Sequence, residues 1–355
     1  MRIFYASDST PNAFIASNIW RANLHDSLVG LGHEVLEFNY DLGSTFRHLD
    51  TQNPEHAAFI AENRPKVSAA LLAQIKAAHA KKPLDMLFTY FYDACVQPDT
   101  IEAIKAMGIK TVNWYCNGSY QLHLVKEISP HYDWCLVPEK FRIKDYLAMG
   151  ARPIYCQEAA NPELYKPYDE KVIYDVSFVG QAYGERPEYI RAIHDAGIKV
   201  HVFGPRWDKH IESSGLNTAF KKLKHAVSLG GPVRKLPKSI VGGVLSDEEL
   251  IRTYSRSKIN LGFSSVGDTH KTERIVQVRL RDFEVPMSGG FYMVEHMDEL
   301  EEFFEIGREI VCYNGKDDMV EKIRYYLAHE GEREAIRKAG YERCKRDHTW
   351  QKRFH

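Results

Sequence analysis

Arg281 and Glu284 stand three positions apart in a short stretch, residues 277–290 (QVRLRDFEVPMSGG). On a helix that spacing puts both side chains on one face. A guanidinium forks onto phosphate oxygens, whereas a carboxylate accepts hydrogen bonds from hydroxyls. The pair therefore suits a ligand with phosphate at one end and sugar hydroxyls at the other. Glu284 precedes Val285 and Pro286 in an apolar step, where a carboxylate is costly unless a donor meets it. A ribose hydroxyl and Arg281 itself are the two candidate donors. Arg279 lies two residues from Arg281, on another face, and reads as an ordinary ion pair.

The residues before this stretch extend the same chemistry. Gly262, Ser264, Ser265, Gly267, Asp268, Thr269 and His270 form a loop whose glycines let the backbone approach a phosphate closely. Ser264, Thr269 and His270 add side-chain donors, although His270 also reads as a solvated loop histidine. A second candidate loop runs from Gly180 to Arg186, which opens a helix; Arg186 is either a phosphate ligand or a surface ion pair. Phe203 and Trp207 follow another strand, where a base has a ring to stack on; Trp207 reads equally well as core.

Elements that place these residues follow from hydrophobic spacing. Residues 258–264 (KINLGFS) and 291–294 (FYMV) read as buried strands flanking the loop and short helix. A loop and helix start at the carboxyl end of a strand make an anion site in an open α/β sheet. The alternation of strand and helix runs through the whole chain: strands at 2–6, 33–40, 84–90, 109–115, 132–137, 153–157, 172–180, 199–203 and 309–313, with helices between. This spacing predicts an α/β chain with largely parallel sheets. Residues 161–170 (NPELYKPYDE) break the rhythm and read as a linker. The pattern thus divides into an N-terminal Rossmann-like domain, 1–165, and a C-terminal one, 170–342. The first turn has no G-x-G-x-x-G, which argues against a dinucleotide there. Ser246-Asp247-Glu248-Glu249 is a capping box opening a helix.

Bulk properties exclude several classes. The 355 residues carry 47 Lys and Arg against 48 Asp and Glu, for a formal net charge of −1. No global attraction to nucleic acid or anionic membrane follows, and no apolar run approaches the ~20 residues needed to span a bilayer. MRIFYASDST reads as a first strand, without the apolar core of a signal peptide. Six cysteines are scattered with no C-x-x-C pair, as buried free thiols of a cytoplasmic protein are. No D-x-D pair or His/Cys cluster is suited to a metal, so none is expected. Residues 208–245 are irregular and basic, carrying Lys209, Lys221, Lys222, Lys224, Arg234, Lys235 and Lys238: a solvated insertion, or a rim for an acidic partner.

The run Arg281-Asp282-Phe283-Glu284 followed by Ser288-Gly289-Gly290 resembles the R-x-F-E…G signature of the CgeB-like glycosyltransferases. Ser177-Phe178-Val179-Gly180 with Arg186 resembles that family's first strand and phosphate loop. Phe303, Gly307, Glu309 and Tyr313, then Tyr325-Tyr326-Leu327, Arg333, Gly340 and His348-Thr349, resemble its closing elements. Asn113-Trp114-Tyr115 and the run Asn161 to Tyr165 are similar more weakly, and the likeness covers about half the chain.

The resemblance implies the GT-B fold, two Rossmann-like domains facing across a cleft, with the tail, about 343–355, crossing back to the first. It implies transfer of a sugar from a nucleoside diphosphate, a UDP-sugar, with no further cofactor. Gly180, Arg186, Phe203, Ser264, Thr269, His270, Arg281 and Glu284 then hold the donor, and Arg281 and Arg186 stabilise the leaving diphosphate. The acceptor, whether glycan, protein, small molecule or modified DNA, falls to the N-terminal domain, where Asp93, Asn117 and Glu158 stand near strand ends. Asp8, after the first strand, is the expected base if the reaction inverts; as turn or cap residues all four have a plainer reading. Two other functions stay open: a glycosyltransferase acting on modified bases in DNA, and a degenerate nucleotide-sugar-binding or scaffold module. Val276 and Asn117 favour the last, since related retaining enzymes often carry a second glutamate at the first position and the family often has an Asp near the second.

Overall fold

A computed structural model describes residues 1–8, 19–211, 235–267 and 269–355. The polar turn after Asp8, the start of the first helix, most of the basic stretch 208–245 and Asp268 lie outside the described residues. Two compact units emerge: Met1–Tyr165 with Gln277–Glu284 and Cys344–His355, and Lys166–Val276 with Val285–Arg343.

The first unit is built on six strands: β1 (Arg2–Ala6), β2 (Glu34–Glu37), β3 (Met86–Thr89), β4 (Lys110–Trp114), β5 (Trp134–Val137) and β6 (Pro153–Tyr155). All pair in parallel, in the order β2-β1-β3-β4-β5-β6. Every residue of β1 is buried, as a central parallel strand covered on both faces requires. Helix α1 (Ile19–Gly30) and the long α2 (Pro54–Lys81) lead from β1 to β3. Asn53 caps α2 by accepting from the Glu55 N–H. The helix continues through Pro65, because burying Val67, Leu71, Ile75 and Ala78 outweighs one missing hydrogen bond. Helices α3 (Pro98–Lys105), α4 (Gly118–Gln121) and α5 (Ile143–Ala148) complete the crossovers.

The second unit has five parallel strands in the order β11-β10-β9-β7-β8. They are β7 (Tyr174–Val179), β8 (Val200–Phe203), β9 (Ser257–Gly262), β10 (Tyr292–Glu295) and β11 (Val311–Tyr313). Between and after them in the chain lie α6 (Arg186–Asp195), α7 (Asp247–Ser255), α8 (Leu280–Met287), α9 (Gly315–Ala328), α10 (Glu330–Asp347) and α11 (Trp350–Phe354), of which the start of α8, the end of α10 and all of α11 belong to the first unit. The Ser246 side chain accepts from the Glu249 N–H at 3.3 Å and starts α7.

Both sheets share one topological feature. β1 lies between β2 and β3, and β7 lies between β8 and β9, so the winding reverses at the first strand of each unit. In open parallel sheets, ligands bind at the carboxyl ends of the strands at such a reversal. The loops after β1 and β3, and those after β7 and β9, are the places to look.

Asp298–Glu302, between β10 and β11, form a 3-10 turn. The end of the chain forms the further helix α11, capped by Thr349 accepting from the Lys352 N–H. All six cysteines are free and buried. Among the described residues no helix is long and apolar enough to cross a membrane.

Candidate functional site

Past β7, Gly180 is fixed from both sides. Its N–H donates to Phe203 O at 2.7 Å, and its carbonyl accepts from Trp207 Nε1 at 2.8 Å. Gly204 crosses directly over it: φ is +128°, and a Cβ there would lie 2.5 Å from Gly180 O, so only glycine fits. Arg186, the first residue of α6, is buried. Its guanidinium lies 3.7 Å from the Tyr183 ring centroid, and within 5.6 Å of those of Phe178 and Phe263. Nη1 donates to Gln181 O at 3.0 Å. A full positive charge is thus held among aromatic faces beside the loop after β7. Phe203 is 5% exposed and Trp207 1%, with Phe203 packed under Gly242, so neither ring presents an open face to a base.

Past β9, the backbone N–H groups of Ser264 and Ser265 both point at Glu295 Oε2, at 3.3 Å each. Ser264 Oγ donates to the Glu295 carbonyl at 2.7 Å. The other carboxylate oxygen of Glu295 pairs with Arg274, whose Nε also meets Glu185 at 3.0 Å. Thr269 fastens the loop by donating to Val266 O at 2.6 Å and accepting from the Ile275 N–H at 3.2 Å. The His270 side chain lies outside the described residues. Sequence reasoning missed Glu295, Arg274 and Glu185. Glu295 left one signal, an acid ending the apolar strand FYMV; Arg274 left none.

The stretch 277–284 belongs to the first unit. Arg279 is the residue before α8, not part of it, and its N–H donates to Asp282 Oδ2 at 2.8 Å. Asp282 thereby closes the first turn from the third helical position, the acidic half of a capping box. Arg281 and Glu284 do share a face: Arg281 Nε lies 3.6 Å from Glu284 Oε1, and Glu284 is buried.

The acceptor-side candidates of the first unit differ in what they do. Asp8 follows β1 directly, at the sheet's reversal point. Asp93 is buried and accepts from the N–H groups of Glu127 and Ile128 at 3.0–3.1 Å, so its oxygens hold the chain after β4; burial pushes its carboxyl up to about 6. Asn117 precedes α4 and reaches the Tyr90 hydroxyl at 3.5 Å. Glu158, 5% exposed, has its carboxyl pushed well above the usual range, first by burial and then by Glu139, against the opposing pull of Arg279. Glu139 itself, missed in the sequence, is pushed up to about 7 by burial, although the Ser119 N–H donates to it at 3.3 Å. Burial and the like charge of Glu139 thus both favour the protonated form of Glu158. Among the described residues no three His, Cys, Asp or Glu side chains are grouped to hold a metal ion.

Two all-parallel Rossmann-like units, with charged loops at the reversal point of the second sheet, define the class. The chain has the GT-B fold, and its C-terminal segment is glycosyl transferase-like in sequence. Residues 185–355 match the model of the glycosyl transferase-like family. No curated protein matches the chain. Sucrose-phosphate synthase from Thermosynechococcus elongatus has a similar structure, with a TM-score of 0.61 at 14% identity over 99% of this chain and 96% of that one. HepE from Anabaena, solved with UDP-glucose, gives 0.56 at 10% identity over 99% and 96%. An α-glucosyltransferase solved with UDP and a 13-mer DNA containing an A:G mismatch gives 0.53 at 13% identity over 98% and 96%. At such identities these likenesses speak for the fold alone.

Proposed function

We propose that the protein moves a sugar from a uridine diphosphate sugar to an acceptor, in the cytoplasm and without a metal ion. The observation that carries this reading is the buried charge of Arg186 held against the ring of Phe263, the residue before the loop amides of Ser264 and Ser265, at the reversal point of the second sheet. That sheet lies largely within the segment that matches the family. Transfer breaks the bond between the sugar C1 and the diphosphate oxygen, which keeps the electron pair, and forms one from C1 to the acceptor hydroxyl oxygen, whose proton passes to Asp8 if the configuration inverts and to the departing diphosphate if it is retained. Fixed cations and N–H dipoles stabilise the charge as it develops. Gly180 and Thr269 shape the two loops. Arg281 and Glu284 take the diphosphate and ribose roles of the R-x-F-E signature, which is also what supports a CgeB-like subfamily. On the acceptor side, Asp8, Asn117 and Glu158 are assigned to the acceptor hydroxyl. UDP is favoured as the carrier by the neighbours solved with UDP and UDP-glucose.

Thermal melting against UDP, UDP-sugars, NAD and ATP, with and without EDTA, tests the reading. UDP at 100 times its Kd stabilises the native state by about 2.7 kcal/mol, unchanged by EDTA; stabilisation by NAD instead overturns it. Slow hydrolysis of a UDP-sugar, lost in Arg281→Ala, separates an enzyme from a binding module. A modified base in DNA is the second reading for the acceptor, supported by the neighbour solved with DNA. Duplex binding that falls steeply with salt favours it, and absence of such binding removes it.

A further inference from the structure

Glu295 occupies an unusual position for an acid. It ends β10 beside β9, its side chain is only 8% exposed, and one oxygen receives two successive backbone N–H groups from the loop after β9. A pair of successive loop amides at a strand's carboxyl end is the donor set that phosphate oxygens use. At 3.3 Å both contacts are long for bonds to a charged acceptor, which favour about 2.7–2.9 Å, so they are readily exchanged. Arg274 completes the arrangement. Its side chain is 39% exposed, and its guanidinium is divided between Glu295 and Glu185, two carboxylates on one cation. A diphosphate cannot join this crevice beside the Glu295 carboxylate without like-charge repulsion in a partly buried setting.

We infer that Glu295 is a built-in stand-in for the donor's phosphate: its carboxylate holds the Ser264 and Ser265 amides and the Arg274 guanidinium, and an entering diphosphate takes both over. The inference rests on the donor reading above and deepens it by naming Arg274 as a diphosphate contact and Glu295 as its competitor. Glu185, at the residue before α6, keeps Arg274 tethered through Nε while its terminal nitrogens change partner. Affinity for the donor is set by this exchange, so removing the competitor's charge raises it. A purely structural Glu295 predicts the opposite, since its loss then only loosens the loop.

Calorimetric titration of the full chain with UDP, uridine and inorganic pyrophosphate decides between them. Glu295→Gln, which keeps an oxygen for the two amides, is expected to bind UDP and pyrophosphate about tenfold tighter, and Arg274→Ala about tenfold weaker. Arg274→Lys falls between, and uridine affinity moves in none of them. Melting curves confirm that each variant is folded; if Glu295→Gln is not, the two Arg274 variants carry the test. An unchanged or weaker affinity in folded Glu295→Gln, or an unchanged one in Arg274→Ala, overturns the inference. Pyrophosphate binding that depends on Arg274, with no binding of UDP, sinks the donor reading while the anion exchange stands. Binding of neither sinks both.

Discussion

Glu139 shows what burial does to a single group. Its carboxyl is 3% exposed and rests against Gly118, where a Cβ would come within 3.1 Å of Oε2. Burial raises it from 4.5 to about 7. Between those values the folded chain binds a proton that the unfolded chain has released, so stability falls as pH rises. The stabilising contribution is whole below pH 4.5 and gone once pH passes through 7. Gln at this position never ionises. Glu139→Gln should therefore match the wild type near pH 5 and exceed it at pH 8, by an amount on the order of 3 kcal/mol. Urea melts at the two pH values measure this, and an equal gap at both would falsify it. The sequence did not mark Glu139, because an acid after Val137-Pro138 reads as an ordinary turn residue. Arg281 and Glu284 were visible because type and spacing together made a pattern, whereas Arg274 acquires its meaning from Glu185 and Glu295, distant in the chain.

Elements were more legible than residues. Alternating strand and helix patterns gave the α/β class, because a parallel strand buried on both faces leaves a nearly continuous apolar run, as in β1 and β7. Capping at Ser246 was readable for the same local reason. Short elements held by distant contacts were not: α11 is a polar-looking pentapeptide until Trp350 is buried. Nor was the start of α8, where Asp282 closes the first turn onto the Arg279 N–H. Asp282→Ala leaves that N–H without its partner in a buried setting and should lower stability by about 1 kcal/mol, with Asp282→Asn recovering most of it. Because Arg281 and Glu284 ride on the same turn, UDP affinity should fall with the alanine and return with the asparagine. A UDP affinity indifferent to both changes would detach this helix from the donor site.

The first unit is assembled from three separated segments of chain, and the last of them, Cys344–His355, gives the sharpest test of that assembly. Trp350 is fully buried; its ring meets Trp114 edge-on at 5.3 Å and lies beside Phe354, which meets Phe88 at 5.6 Å. The backbone adds a parallel bridge between Ala160 and Thr349, and Arg353 donates to Gln157 O at 3.0 Å. Among the described residues Trp350 Nε1 has no hydrogen-bond partner, so its value there is packing. Trp350→Ala removes that packing and leaves a cavity under β4, which should cost about 3–5 kcal/mol. The loss belongs to the first unit. Amides of β3, β4 and β5 should lose hydrogen-exchange protection by several orders of magnitude, while those of β7, β8 and β9 keep theirs. Pyrophosphate binding at Arg274 should likewise survive at temperatures where the first unit has begun to open. Equal loss of protection in both sheets would show that the two units do not unfold as separate bodies, and a wild-type melting curve would show that the chain's last turn is not part of the first unit's core.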